Sequence, residues 1–176
     1  MLDPANISVS ETLRNGQRVE IRSQRPLDRR GLEAALARMS DESLHRRFFG
    51  AKRYFSEKEA EYFLDIDFVN HVALVAVVQE NGEQAIVGAG RYVVVQPGGA
   101  EVAFGVVDQY QGQGLGAALM RELVAIARHA GISELIADVL GSNLAMLKVF
   151  EGSSKIARMI EYGGQREMQH IAFFRR

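Results

Sequence analysis

The chain has 176 residues, of which 47% are hydrophobic and 24% charged, values that are ordinary for one globular domain. This composition excludes a disordered chain, a fibre and a repeat array. With 21 basic and 22 acidic residues the formal net charge is −1, which provides no broad positive field for non-specific nucleic-acid binding. We therefore expect no nucleic acid among its partners.

Cysteine and histidine, the usual ligands of zinc and other transition metals, are scarce in this chain. The chain has no cysteine, and none of its four histidines are paired at helical ligand spacing, so we expect no metal site. The first residues lack the pattern of a signal peptide, and the longest apolar run, residues 72–78, is far shorter than a membrane span. The expectation is a cytoplasmic protein that does not bind a membrane.

The first half of the chain predicts one strand followed by helices. Residues 1–17 are polar and aperiodic and are interpreted as an N-terminal extension before a single domain over residues 18–176. Residues 17–23 alternate apolar and charged side chains, as a half-buried strand does, and two helices follow, the second after Ser40. Ser56 and Glu59 have the spacing of a capping box at the start of a third helix. We interpret six early arginines as a solvated surface: Arg14, Arg18, Arg22, Arg25, Arg29 and Arg30.

The second half predicts a sheet. Three consecutive antiparallel strands are expected from residue 71 to residue 107, with turns at Asn81-Gly82 and at residues 96–99. A long amphipathic helix follows from Leu115 and ends at Gly131. Then come a strand over 135–140, a short helix over 143–150 and strands near 156–162 and 168–174. The fold class is α+β, with a mixed, mostly antiparallel central sheet flanked by helices.

A glycine-rich loop between a buried strand and the long helix is the strongest functional feature. Residues 111–116 read Gln-Gly-Gln-Gly-Leu-Gly. A helix N-terminus presents unpaired amides and a partial positive charge, and glycines let phosphate oxygens approach the backbone. The loop formally matches a dinucleotide fingerprint, but too little chain follows it and the strands before it are predicted antiparallel. No P-loop motif is present.

The spacing of Gln111, Gly114 and Gly116 resembles the coenzyme A pyrophosphate loop of the GCN5-related N-acetyltransferase (GNAT) superfamily. The order of strands and helices over residues 18–174 is also similar to that fold. The segments SDESLHRRFFG, HVALVAVV, GAGRY and AEVAFGV look most like the acetyltransferase domain of bacterial protein-lysine acetyltransferases. The resemblance implies acetyl-CoA as cosubstrate and an amine, most often a protein lysine, as acceptor.

The resemblance also implies roles for individual residues. Backbone amides of the loop would hold the pyrophosphate, and Val106 and Val107 would pair with the pantetheine arm as an added strand does. Asn143 would contact the cofactor arm, although asparagine at that position is also expected as a helix N-cap. The loop residues are Gln111, Gly112, Gln113, Gly114, Leu115, Gly116 and Ala117.

Glu101 occupies the place of the glutamate that acts as general base in the protein-acetylating branch. A lysine ammonium must lose a proton before it attacks a thioester, and a partly desolvated carboxylate with a raised pKa can take that proton. His71 is a weaker candidate for the base. Many members carry a tyrosine that protonates the departing thiolate where this chain has Phe150, and Tyr162, Tyr110 or a water are possible replacements.

The acceptor is less well defined by the sequence. By the resemblance, the predicted helices over residues 27–64 would form one wall of the acceptor cleft. The pair Phe48 and Phe49 is interpreted as core, and several acidic residues of these helices are candidates to attract a cationic acceptor: Asp41, Glu42 and Glu59, together with Ser40.

Alternatives to a protein-lysine acetyltransferase are a small-amine acetyltransferase, a non-catalytic acyl-CoA-binding module and, with least support, a nicotinamide-dependent enzyme. An apolar edge strand could pair two copies as a homodimer.

Overall fold

The computed structural model describes the backbone of residues 2–49, 54–153, 156–161 and 168–174. Within these residues eight strands form one sheet, in the order β1-β2-β3-β4-β5-β6-β8-β7. Every neighbouring pair is antiparallel except β5 and β6, which confirms the mixed, mostly antiparallel sheet. The strands are β1 (Ser8–Thr12), β2 (Arg18–Ser23), β3 (His71–Glu80), β4 (Glu83–Gln96), β5 (Gly99–Val106), β6 (Glu134–Leu140), β7 (Ile156–Glu161) and β8 (Met168–Phe174).

Five α-helices cover the two faces of the sheet. They are α1 (Arg29–Ala37), α2 (Asp41–Phe48), α3 (Glu57–Leu64), α4 (Leu115–His129) and α5 (Leu144–Ser153). A Cβ built on Gly90 of β4 would touch Leu123 of α4, whereas one built on Gly105 of β5 would touch Arg47 of α2. Gly90 pairs with Phe104, and successive strand residues face opposite sides. The two helices therefore lie on opposite faces.

Local sequence patterns explain the boundaries of several elements. Asn81 and Gly82 both have positive φ (51° and 84°), as a tight two-residue hairpin turn requires, which confirms the predicted β3–β4 turn. The capping box is also present, since the Glu59 carboxylate accepts from the Ser56 amide at 2.9 Å and the Ser56 hydroxyl accepts from the Glu59 amide at 3.3 Å. Gly131 follows α4 with φ 79°, the left-handed conformation expected at that helix end.

Two interpretations of the N-terminal region are wrong. Residues 8–12 are not irregular, because they form β1 and pair antiparallel with β2. Arg22 is not on a solvated surface: its guanidinium is buried and binds both carboxylate oxygens of Asp28, at 2.8 and 2.7 Å. The hydrophobic pattern did not indicate this ion pair, since both residues are charged.

The parallel pair β5–β6 creates the opening that carries the site. Its register contains only three pairs, from Gly99 with Glu134 to Glu101 with Ile136. Beyond Glu101, β5 continues to Val106 and β6 continues to Leu140, so the two strands separate. A cleft through the sheet follows from this separation.

The part of the chain that the structure describes contains no helix with the length and apolar character needed to cross a membrane.

Candidate functional site

A cavity of about 400 Å³ occupies the opening between β5 and β6. It runs from the glycine-rich loop and the start of α4 to Glu101 near the point where the two strands meet, and α2 and α5 border it. Eight of the ten residues expected to bind the cofactor line it, and so do Glu101 and Phe150. The eight are Val106, Gln111, Gly112, Gly114, Leu115, Gly116, Ala117 and Asn143.

Val107 and Gln113 are the two expected residues that do not line this cavity. Val107 is buried, and its amide donates to the carbonyl oxygen of Val87 on β4 at 2.9 Å, so it is not available to a ligand strand. The carbonyl oxygen of Gln113 accepts from the amide of Arg14 at 3.1 Å. Leu115 lines the cavity but is only 1% exposed, so its side chain belongs to the core and its amide alone is suited to bind a ligand.

The glycine-rich loop has the geometry of an anion site. Gly112 and Gly114 have φ of 71° and 92°, which glycine adopts readily and other residues rarely do, and a Cβ at Gly112 would meet no atom within 4 Å. The first backbone bond of α4 runs from the Ala118 amide to the Gly114 carbonyl oxygen, at 3.0 Å. The amides of Leu115, Gly116 and Ala117 precede this bond and fit a phosphate at the positive end of the helix.

Arg14 joins this loop from the turn between β1 and β2. Its side chain donates to the carbonyl oxygen of Gly112 at 3.2 Å, and it lines the cavity. Its Nε lies 4.0 Å from the position that a Cβ of Gly114 would take. Arg14 was expected on a solvated surface, and no local sequence pattern relates it to the loop. The guanidinium of Arg14 therefore adds a full positive charge beside the partial positive charge of the α4 N-terminus.

The side chain of Gln111 connects the loop to the neighbouring elements. Its Nε2 donates to the hydroxyl of Ser43 on α2 at 2.9 Å and to the carbonyl oxygen of Val106 at 3.0 Å. The resemblance implied only a backbone role for this residue. The contacts add a structural role, because they fix the loop against both the end of β5 and the helix that borders the cavity.

Asn143 serves as the N-cap of α5, the alternative that the sequence left open. Its side-chain oxygen accepts from the amide of Met146 at 3.2 Å, and the residue is buried. It also lines the cavity, so its amide group lies at the edge of the cleft.

Glu101 lines the cavity on the face of the sheet that α1 and α2 cover. Its side chain is exposed to solvent, which differs from the partial desolvation expected of a base at this position. Arg47 of α2 lies near enough for its charge to interact with that of Glu101, and it borders the same cavity. A carboxylate in this position is accessible from the face of the sheet that α1 and α2 cover.

His71 is poorly suited to act as the base. Its Nδ1 lies 3.0 Å from the carbonyl oxygen of Asp65, and its Nε2 lies 3.1 Å from the guanidinium of Arg91. Both nitrogens are thus engaged when the ring is neutral, with Nδ1 donating and Nε2 accepting. Burial lowers the pKa of His71, and the charge of Arg91 lowers it further.

Neither Phe150 nor Tyr110 can offer a free hydroxyl as an acid: phenylalanine has no hydroxyl, and that of Tyr110 is already hydrogen-bonded. The ring of Phe150 is buried and packs against Phe104, with 5.5 Å between ring centroids. Tyr110 borders the cavity, but its hydroxyl donates to the carboxylate of Glu80. Burial raises the pKa of Tyr110, and the hydrogen bond to Glu80 raises it further. Tyr162 lies outside the described residues.

The helix α2 forms part of the wall of the cavity. Arg46, Arg47 and Phe49 line the cavity. The interpretation of Phe49 as core is wrong, because it is 41% exposed and ends α2 with a left-handed φ of 57°. Phe48 is half-buried and borders a second, smaller cavity on the same face.

The acidic residues proposed to attract a cation have structural contacts. Ser40 caps α2, with its hydroxyl accepting from the Ser43 amide at 3.2 Å, and Glu42 pairs with Arg46 one turn later. Glu59 belongs to the capping box of α3. None of Ser40, Asp41, Glu42 and Glu59 lines the cavity.

Comparison with known proteins identifies the family and supports the fold. The family model described as the acetyltransferase (GNAT) family matches residues 37–152, more than half of the chain. Acetyltransferase PA5475 of Pseudomonas aeruginosa is 36% identical over 137 residues, which are 77% of this chain and 74% of that protein. Acetyltransferase Pat of Mycolicibacterium smegmatis is 34% identical over 114 residues, 64% of this chain but only 33% of the longer Pat.

Solved structures agree with the match to the GNAT family. The crystal structure of the GNAT domain of S. lividans PAT has a TM-score of 0.83 and 30% identity, covering 95% of this chain and 96% of that one. The structure of yncA from Salmonella typhimurium, which contains acetyl-CoA, has a TM-score of 0.70 at 16% identity over 89% of this chain and 93% of that one, a likeness of fold. The chain therefore belongs to the GNAT family of acetyltransferases.

Proposed function

We propose that this chain transfers the acetyl group of acetyl-CoA to the side-chain amine of a protein lysine. The observation that carries the proposal is the continuous cavity between β5 and β6. It joins an anion-binding loop at one end to an accessible carboxylate, Glu101, at the other. A cosubstrate with phosphates at one end and a reactive thioester at the other matches that arrangement.

The phosphate end of the cavity is positively polarised. The amides of Leu115, Gly116 and Ala117 and the guanidinium of Arg14 would contact the negatively charged phosphates of the coenzyme. Along β5, residues 102–106 lie beyond the last backbone pair with β6. Their open edge suits the amide-containing pantetheine arm, which can pair with it as a strand would.

The acetyl thioester supplies an activated acyl group, and Glu101 supplies the base. A lysine ammonium that enters from the face covered by α1 and α2 gives one proton to the Glu101 carboxylate, directly or through a water. The neutral nitrogen then attacks the thioester carbonyl carbon, so that a C–N bond forms and the C–S bond breaks. The electron pair of the broken bond leaves with sulfur, and the nitrogen gives up its second proton to the thiolate or to water.

Phe150 stands where a proton donor would be expected, and the proposed chemistry proceeds without one. A thiol has a pKa of about 8.5, so a thiolate is a tolerable leaving group near neutral pH. The absence of a positioned acid typically costs about 10²–10⁴ in rate rather than all activity. Binding and orientation by the loop and β5 account for the remaining acceleration.

The choice of a protein lysine follows from the relatives. The subfamily-like segments around α2, β3, β4 and β5 resemble bacterial protein-lysine acetyltransferases, and two relatives carry the names Pat and PAT. This chain covers a third of the mycobacterial Pat, so activities of that whole protein enter here only as part of the proposal.

The experiment that tests the function compares binding and turnover in the variant Glu101→Gln. Calorimetry with acetyl-CoA should give the same Kd as the unaltered chain, because the loop is untouched. The rate of acetyl transfer to a lysine peptide should fall about 10²–10⁴-fold, because the base is lost. Glu83→Gln, at an exposed position beside the β3–β4 turn, is the matched control and should change neither quantity.

Four outcomes would contradict different parts of the proposal. Unchanged turnover in Glu101→Gln would refute the base. Acetyl-CoA binding without transfer to any amine would favour the non-catalytic module, and transfer to small amines alone would favour the small-molecule alternative. A chain that bound no acetyl-CoA would refute the function as a whole.

A further inference from the structure

Two desolvated arginines lie on the face of the sheet from which an acceptor would enter. Arg91 of β4 is only 8% exposed, and its Cζ lies 4.1 Å from the centroid of the Phe63 ring. Arg47 of α2 is half-buried, with its Cζ 4.8 Å from the centroid of the Phe48 ring. Its stem crosses β5, since its Cδ lies 3.6 Å from the position that a Cβ on Gly105 would take.

The hydrogen-bond partners of Arg91 are neutral. Its guanidinium approaches His71 Nε2 at 3.1 Å, and the oxygens of Phe63 and Gln24 at 3.5 Å. Across the described residues, the ion pairs within 4.0 Å include neither Arg91 nor Arg47. Glu101 is the carboxylate whose charge acts on Arg47. Neither guanidinium therefore has a carboxylate at ion-pair distance among the described residues.

Loss of water lowers the pKa of Arg47 to about 10, although the charge of Glu101 acts in the opposite direction. Loss of water also lowers the pKa of Arg91 to about 9, and the charge of Arg47 adds to this effect. Both residues stay cationic at neutral pH. An uncompensated charge in an apolar region is costly, and a ligand anion is one way to compensate it.

We propose that the acceptor carries a carboxylate close to its reactive amine and that Arg47 binds this carboxylate. Arg47, rather than Arg91, is the residue that a ligand can reach, because it lines the same cavity as Glu101. A guanidinium can hold a carboxylate through two parallel hydrogen bonds, which fixes its position as well as its charge. This inference rests on the proposed function and specifies its acceptor.

The spacing suits a lysine with a neighbouring acidic residue. Glu101 and Gly105 lie four positions apart on one face of β5, about 13 Å at ~3.3 Å per residue. The stem of Arg47 crosses the strand at Gly105, and its charge is close enough to interact with that of Glu101. With the lysine amine at Glu101, the carboxylate of an adjacent Asp or Glu in an extended peptide can reach Arg47.

The test uses matched peptides with one central lysine flanked by Glu, by Gln or by Arg. Acetyl transfer by the unaltered chain should show a kcat/KM about tenfold higher for the Glu peptide than for the Gln peptide. The Arg peptide should be the poorest of the three. Arg47→Gln should abolish this order, and Arg47→Glu should reverse it in favour of the Arg peptide. Arg128→Gln, at an exposed position on α4 outside the cavity, should keep the original order.

Small acceptors distinguish the source of the carboxylate. Nα-acetyl-lysine has a free carboxylate, and its amide does not. A preference for the free acid that Arg47→Gln removes, without any preference among the peptides, would support the carboxylate site and overturn the protein acceptor.

Equal kcat/KM for the three peptides and for the acid and its amide would overturn the inference while leaving the proposed function intact. A preference for the Arg peptide in the unaltered chain would overturn it as well. Absence of transfer to every acceptor would instead refute the proposed function. Circular dichroism and thermal unfolding verify that each variant folds. If Arg47→Gln does not fold, the order of kcat/KM among the three peptides, measured on the unaltered chain, decides whether the inference holds.

Discussion

The guanidinium of Arg14 donates a hydrogen bond of 3.2 Å to the carbonyl oxygen of Gly112, across 98 positions of sequence. The amide of the same arginine donates to the carbonyl oxygen of Gln113 at 3.1 Å. The turn between β1 and β2 is thus held against the glycine-rich loop by both backbone and side chain. Since only part of the guanidinium is used in this contact, its other N–H groups remain for a phosphate.

Replacement of Arg14 by Gln should weaken acetyl-CoA binding. A hydrogen bond to a charged group contributes ~1.5 kcal/mol or more, so calorimetry should show a Kd raised about tenfold. The salt dependence of Kd should also decrease, because one positive charge is lost. The turnover number at saturating acetyl-CoA should stay within about twofold, since Arg14 lies at the loop and not beside Glu101.

Arg18→Gln is the control for this variant, because Arg18 is an exposed arginine on the adjacent β2. An equal Kd for Arg14→Gln and Arg18→Gln would remove Arg14 from the phosphate site. Repeating the titration with 3′-dephospho-CoA identifies the phosphate involved: if the 3′-phosphate is the partner, the two variants should then bind alike.

Much of the fold follows from local patterns, because residues close in sequence determine turns, caps and periodicity. The Asn81-Gly82 turn, the Ser56 capping box and Gly131 at the end of α4 are examples. β1 could not be found in this way. Its sequence, SVSET, contains a single large apolar residue, Val9, and the strand lies at the edge of the sheet, where pairing with β2 stabilises it.

The same distinction between local patterns and contacts distant in sequence applies to the candidate site. The loop and Glu101 could be proposed from contiguous motifs and a family resemblance. Arg14 and Arg47 could not be assigned individually, because their importance depends on contacts with residues distant in sequence, Gly112 and Gly105. The buried pair of Arg22 and Asp28 was missed for a different reason: a hydrophobic pattern cannot show that two charged side chains compensate each other.

The pair of Arg22 and Asp28 should make stability depend on pH in acid. Burial acts to raise the pKa of Asp28, but the hydrogen bonds from Arg22 and from the Arg25 amide outweigh it, so the pKa lies below its usual value. The folded chain then binds this proton less readily than the unfolded chain. The stability contributed is present above the unfolded pKa of about 3.9 and is lost as pH falls through the lower, folded pKa.

Asp28→Asn should therefore destabilise the chain by about 3–5 kcal/mol at pH 7, because it leaves the buried Arg22 charge without its partner. Urea unfolding at a series of pH values should show the difference from the unaltered chain shrinking as the pH falls below about 4, where Asp28 takes up a proton first in the unfolded chain and, at lower pH, in the folded chain. Glu61→Gln, at an exposed position on α3, should stay within about 0.5 kcal/mol throughout. A difference independent of pH would exclude ionised Asp28 as its source.

The close packing of α4 on β4 should make Gly90 intolerant of a side chain. A Cβ at this position would lie 3.0 Å from Leu123 Cδ1 and 3.2 Å from Phe104 Cβ. The leucine end can rotate away, but the Phe104 Cβ is fixed to the paired strand β5. We expect Gly90→Ala to lower the free energy of unfolding by about 1–3 kcal/mol, the usual cost of overpacking.

Gly152→Ala is the matched control, because Gly152 lies in α5 and an added Cβ would meet no atom within 4 Å. Alanine is favoured over glycine in a helix by about 1 kcal/mol, so this variant should be as stable as the unaltered chain or more so.

Since α4 also presents the amides of the loop, Gly90→Ala should raise the Kd for acetyl-CoA as the helix moves outward. Full stability together with an unchanged Kd would mean that α4 can move away from β4 without disturbing the phosphate site, and that the position of the loop is set by Arg14 and Gln111 instead.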